Sequence, residues 1–113
     1  LFRSDTNGII LLQGTIVQKE NYGPPNFGET PEFDSKEVFL FLKPKDPLIY
    51  AYGGSNEKIN EMQLVFLQQS LKADIMPNND YFVTGIIQKA ESGHHHTDYI
   101  FIVKDCMLKS GGN

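Results

Sequence analysis

Five short apolar runs constrain this chain more than any other feature: residues 9–17, 37–43, 48–52, 81–89 and 98–108, each closed by glycine, proline, asparagine or a polar stretch. Short runs rich in Val, Ile, Phe and Tyr, bounded by turn residues, are strands; a helix that buries one face needs a longer 3.6-residue period. In the first run Ile10, Leu12, Gly14 and Ile16 share one face, and Leu11, Gln13, Thr15 and Val17 share the other. Gly14 inside a strand predicts a bend or a bulge. In the second, Val38, Leu40 and Leu42 alternate with Phe39 and Phe41, so both faces are apolar. Lys43-Pro44-Lys45-Asp46-Pro47 turns the chain into the third strand, Leu48–Tyr52, which Gly53-Gly54-Ser55-Asn56 ends.

Residues 57–72 carry two conflicting signals. Their Glu, Lys, Met, Gln and Leu content favours helix, and Ile59, Met62 and Phe66 would share a helical face. Leu64-Val65-Phe66-Leu67 equally continues a strand. Propensity does not decide between them, and a short helix is expected near Gln68–Ala73, ahead of the turn at Met76–Asp80. The order is then three strands, a helix and two strands. That order predicts a mainly β fold, a small five-stranded OB-like barrel with one short helix; a small β-sandwich is the alternative. Barrel closure also removes the edges that strands this apolar would expose. With 113 residues the chain fits a single OB-like domain, 1–113, with an ordered core at about 8–109. Its hydrophobic content of 40%, including eight Phe and five Tyr, can fill such a core, and ten Gly with six Pro supply the turns.

Ligands of OB folds usually meet the face of the second and third strands, framed by the loop between strands one and two and the loop between strands four and five. Here those loops are residues 19–36 and 90–97, also the two most unusual stretches of the chain. The first carries Tyr22, Pro24, Pro25, Asn26, Phe27 and Glu29, followed by Glu32 and Asp34. Its prolines restrain the backbone, so Tyr22 and Phe27 offer rigid contact area at low entropic cost; the alternative is that both rings pin the loop to the barrel. The second carries His94, His95, His96 and Thr97. In an extended backbone His94 and His96 project to one side, close enough to share a metal, with His95 on the other. Zinc would need further ligands, which Glu29, Glu32 or Asp34 could supply. The alternative is hydrogen bonding within the turn or packing of an imidazole on an aromatic ring.

Gly23-Pro24-Pro25-Asn26-Phe27, Met62-Gln63-Leu64-Val65, Val83-Thr84-Gly85 and His94-His95-His96-Thr97 occur in that order. Together they resemble an uncharacterised bacterial domain-of-unknown-function family, numbered four-four-three-one, whose members show a G-P-P-N-aromatic loop, a Q-L-V strand, a V-T-G strand and an H-H-T motif. The resemblance spans about Gly14 to Val103. It implies an OB-like domain of an exported protein, hence a periplasmic or secreted setting, and a strand at Met62–Phe66. Members often carry a Gly-Asp pair before an acidic stretch where this chain reads Thr30-Pro31-Glu32-Phe33-Asp34, so no role carries over to those acids.

Composition narrows the function. Ten Lys and Arg stand against 14 Asp and Glu, a net charge of −4, and the cations are scattered, which argues against nucleic acid and against anionic lipid. No apolar run approaches the ~20 residues that cross a bilayer, so no membrane insertion is expected. The chain opens on Leu1-Phe2-Arg3 rather than Met, as a trimmed or mature form would. Cys106, the only cysteine, lies in an apolar stretch and reads as a small buried hydrophobe. The sequence has no phosphate-cradling glycine loop, G-x-S-x-G elbow or H-E-x-x-H pair, so it reads as a non-enzyme. The expectation is therefore an exported bacterial binding module for an unknown protein or small ligand, without a required cofactor. Two alternatives remain: an inhibitor or immunity-type protein that blocks an enzyme such as a cell-wall hydrolase, and zinc binding through His94 and His96.

Overall fold

Alternation in the first apolar run builds the longest strand. In the computed structural model, which describes residues 2–4, 8–22, 32, 36–46, 48–52, 55–90 and 97–109, the strands are β1 (Phe2–Ser4), β2 (Ile10–Tyr22), β3 (Lys36–Pro44), β4 (Leu48–Tyr52), β5 (Ser55–Ile59), β6 (Met62–Phe66), β7 (Asn79–Lys89) and β8 (Tyr99–Leu108). One helix, α1 (Gln69–Ala73), lies between β6 and β7. Five strands close a barrel in the order β2-β3-β6-β8-β7, with β7 returning to β2. All neighbours are antiparallel except β6 and β8, which run parallel. A closed five-stranded barrel with its helix between the third and fourth barrel strands is the OB-like architecture.

The third barrel strand is not the one expected. Leu48–Tyr52 pairs with β1 and β5 in a separate three-stranded sheet, and Met62–Phe66 takes its place in the barrel. Both segments are apolar because both are buried: Leu48, Tyr50 and Ile59 of the small sheet join one core cluster with Leu12, Ile16, Leu42, Met62, Val83, Phe101 and Val103 of the barrel. β6, at Met62–Phe66, is the strand that the motif resemblance implies, and its ambiguity in local pattern has a physical reason. It lies between β3 and the parallel strand β8, and four of its five residues are buried. A strand covered on both faces loses the two-residue alternation that marks a half-exposed one. Helix-favouring composition is thus overridden by burial at β6 and by pairing with β4 at β5, and the segment divides into β5, β6 and α1.

β2 is also longer than its apolar pattern. Its ladder to β3 runs from Gly14↔Pro44 to Tyr22↔Lys36, so residues 19–22 and 36 are strand rather than loop, and the connection is 23–35. Gln18, Lys19 and Glu20 are exposed; a hairpin arm solvated on both faces can be polar throughout, which is why it reads as loop. Gly14 makes a close approach rather than a bulge. No register shift occurs in the described pairs of β2, and a Cβ at Gly14 would collide with the Lys43 carbonyl. The bulge falls instead between Thr84 and Gly85, opposite β8, where a Cβ on Gly85 would lie 2.8 Å from the Phe101 ring and against the Ile102 carbonyl. After α1 the chain turns at Asn78, whose φ of 70° suits a residue that tolerates the left-handed region, and Asn78 N–H donates to the Ile16 carbonyl at 2.7 Å. Tyr81 Oη accepts from Met76 N–H at 2.8 Å and fixes the turn against the core.

No helix among the described residues is long and apolar enough to cross a membrane.

Candidate functional site

The faces of β3 and β6 define where a ligand would meet this barrel, and register places their side chains. Leu40 and Leu42 point into the core, so Phe41 points outward, in a row with Val17 on β2, Gln63 on β6, Ile100 on β8 and Gln88 on β7. Phe41 is nevertheless only 1% exposed and Gln63 6%, although neither belongs to the core cluster. The outer face is thus covered at its centre.

Part of that cover is a clasp from the β2–β3 hairpin. Lys19 Nζ lies 4.9 Å from the Phe41 ring centroid and bonds both carboxylate oxygens of Glu61, at 2.7 and 2.8 Å. An aromatic face attracts a cation, and the carboxylate holds the ammonium over it. The Lys19 side chain is 45% exposed, so solvent screening keeps the ion pair worth under about 1 kcal/mol. Its consequence is geometric: the base of the hairpin is tied to the residue just before β6.

The β7–β8 loop is tied to the same place. Ala90 N–H donates to the Asp98 carbonyl at 2.9 Å and closes the neck of the loop. Thr97 Oγ1 accepts from Gln63 N–H at 2.9 Å and donates to the Tyr99 carbonyl at 2.6 Å. A Thr hydroxyl can do both at once. Tyr99 then packs edge-on against Tyr50 of the small sheet, with centroids 5.3 Å apart at 67°. Beside the loop exit lies a groove of about 300 Å³ lined by residues 57–61 and 97–99, with Glu57, Glu61 and Asp98 against one cation, Lys58.

Of the ten expected ligand residues, Thr97 alone has a described side chain. Tyr22 ends β2 opposite Lys36, and its backbone position is fixed by that pair. Pro24, Pro25, Asn26, Phe27, Glu29, His94, His95 and His96 lie outside the described residues, as does Asp34. Glu32 is exposed. Among the described residues no three His, Cys, Asp or Glu side chains gather as a metal site; the expected metal ligands His94 and His96 are not among them. Cys106 is half-buried and packed against the core. Burial first, then the negative charges of Asp105 and Asp74, push its thiol pKa above the ordinary 9.0, which disfavours the thiolate a nucleophile requires.

Sequence reasoning missed Lys19, Phe41, Glu61 and Gln63. Lys19 and Glu61 are 42 residues apart, and no local spacing links them before the barrel order is known.

No family model matches the chain, and no curated protein is significantly similar to it.

Proposed function

We propose that the chain is a non-catalytic OB-like binding module. Its ligand sits above the covered outer face of β3 and β6, between the β2–β3 hairpin, carrying Tyr22, Pro24, Pro25, Asn26, Phe27 and Glu29, and the β7–β8 loop, carrying His94, His95, His96 and Thr97. One observation supports this above the others: the hairpin base and the loop exit are anchored two residues apart at the head of β6, Lys19 on Glu61 and Thr97 on Gln63. Fixing Lys19 at the base of one loop and Thr97 at the exit of the other pre-organises the points from which both loops spring, and pre-organisation lowers the entropic cost of binding. The motif resemblance adds a periplasmic or secreted setting to this reading.

The test is amide chemical-shift mapping of the full chain against neutral oligosaccharides, short peptides of either charge and a single-stranded oligonucleotide. The expected result is saturable binding of an oligosaccharide or peptide, with shifts clustered at Lys19, Phe41, Glu61, Gln63 and Thr97. Shifts clustered elsewhere, or preference for the oligonucleotide, would sink the reading.

A second reading, an inhibitor or immunity-type protein, draws support from a different face. Leu11 and Met107 are 59% and 65% exposed on the outer side of β2 and β8, flanking Thr84 and Phe82 of β7. Exposed apolar side chains grouped on one sheet suit a protein partner. Inhibition of a cell-wall hydrolase that is lost in Leu11→Glu and Met107→Glu would favour it; no inhibition across a panel of such enzymes would end it.

A further inference from the structure

The ladder of β2 to β7 ends at Ile16↔Asn79, and that of β3 to β6 is confined to Phe41 and Leu42, while β2 and β3 stay paired out to Tyr22↔Lys36. The hairpin therefore leaves the barrel as a two-stranded ribbon. Lys45 N–H donates to the Gln13 carbonyl at 2.8 Å, in register with the ladder that follows. Antiparallel pairs exchange hydrogen bonds at alternate positions, so Val38 directs its own N–H and C=O to the edge away from β2. Among the described residues no strand lies along that edge at Val38.

Beside this edge, between the inner face of the ribbon and α1, runs an open groove of about 450 Å³ lined by Gln18, Val38, Leu40, Lys72, Ile75 and Pro77. Its size falls within the roughly 300–1,000 Å³ of clefts that bury ligands. Its floor is apolar: Leu40 is buried, Ile75 packs on the core, and Val38 remains 42% exposed. Lys72 is the one charged side chain in the described lining, and it has no ion-pair partner among the described residues.

We propose that this groove takes an extended peptide of another protein, added as a strand to the β3 edge at Val38, with an apolar side chain seated against Val38, Leu40 and Ile75 and an acidic side chain at Lys72. Each requirement comes from a different feature. The open edge offers main-chain hydrogen bonds, the floor a place for an alternate side chain, and the lone cation a charge to meet. The site lies on the opposite face of the hairpin from the surface proposed above and does not rest on that reading.

Selection of displayed random peptides on the immobilised full chain tests it, followed by anisotropy and amide-shift mapping with a synthetic peptide of the selected sequence. The expected consensus alternates apolar residues and carries an acid. Lys72→Glu weakens that peptide about fivefold, the effect of losing one partly exposed ion pair. Changing the peptide's acid to Lys restores binding to Lys72→Glu. Val38→Asp abolishes binding, and Gln18→Glu, at an exposed position on the facing strand, weakens it if Val38→Asp proves poorly folded. Shifts fall on Val38, Leu40, Lys72 and Ile75. No consensus, a consensus bound equally by all variants, shifts on Phe41, Gln63 and Thr97 instead, or enrichment explained by self-association of the chain each overturns the proposal.

Discussion

Replacing Thr97 with Val tests whether one hydroxyl holds the β7–β8 loop to β6. The substitution keeps shape and volume, so it opens no cavity; what it removes is Oγ1, with its two hydrogen bonds to Gln63 N–H and the Tyr99 carbonyl. Gln63 is buried, and a buried donor stripped of its acceptor costs about 1–3 kcal/mol. The Tyr99 carbonyl loses one partner but keeps a second lone pair, so its loss adds little. The sum expected for Thr97→Val is about 2 kcal/mol. With a urea m-value of roughly 1–3 kcal/mol/M for a small domain, the unfolding midpoint should fall by about 1 M while m stays constant. Thr97→Ser keeps the hydroxyl and should stay within about 0.5 kcal/mol of the parent. Hydrogen exchange adds a local reading: the Gln63 amide should lose protection in Thr97→Val and keep it in Thr97→Ser. Equal midpoints for the two variants, with Gln63 protected in both, would refute the anchoring role and remove the main support for the proposed surface.

Gly85→Ala forces a methyl against the Ile102 carbonyl and the Phe101 ring; because one obstacle is backbone of a paired strand, a loss of at least about 1–3 kcal/mol is expected in urea unfolding, and parental stability would show that the bulge can spread. Cys106 has its thiol pKa raised by burial and by Asp105 and Asp74. The folded state therefore holds the proton more tightly than the unfolded chain. Its stabilising contribution is complete below the ordinary 9.0 and is lost as pH rises through the raised folded value. Cys106→Ala should flatten the alkaline limb of the stability–pH profile, and an unchanged limb would contradict the shift. Calorimetric titration of the untagged chain with zinc should give weak heats that His94→Ala with His96→Ala leaves unaltered; a sub-micromolar one-to-one isotherm abolished by the double variant would replace the non-metal reading with a zinc site.

Barrel closure was legible where burial is one-sided. β2 and β7 alternate in burial, with Leu12 and Ile16, or Tyr81, Val83 and Ile87, turned to the core and the residues between them partly or fully exposed, whereas β8 was legible as an apolar run, since Tyr99, Ile100 and Phe101 are all buried. Legibility failed where burial is two-sided or absent. β6 has nearly every residue covered and so lacks a two-residue period, and Leu48–Tyr52, whose pattern is clearer, stands in the sequence as the third strand although it belongs to the small sheet. The arm that begins at Gln18, Lys19 and Glu20 is exposed at all three of these residues and so resembles a loop in sequence. The candidate surface was legible as two loops, since prolines and histidines stand out in any sequence. The residues that fasten those loops were not, because Lys19–Glu61 and Thr97–Gln63 are contacts between strands whose neighbourhood only the barrel order creates.

That same order explains why both candidate surfaces share one hairpin. In a closed barrel every strand spends its two edges on neighbours, yet β2 must curve from β7 to β3, and past Ile16 its β7 edge has no ladder left. β3 mirrors it, meeting β6 only at Phe41 and Leu42. Among the described residues the ribbon beyond those points has no further strand paired to it, and an isolated two-stranded hairpin is marginal in water. Its outer face is steadied by Lys19 reaching over Phe41 to Glu61. Its inner face stands over α1 with Val38 exposed and Lys72 without a counter-charge among the described residues. At Val38 the open β3 edge and the apolar side chains of the groove lie together. Val38 is thus where the proposed peptide strand would carry on the pairing of the β3 edge, which among the described residues ends at Phe41.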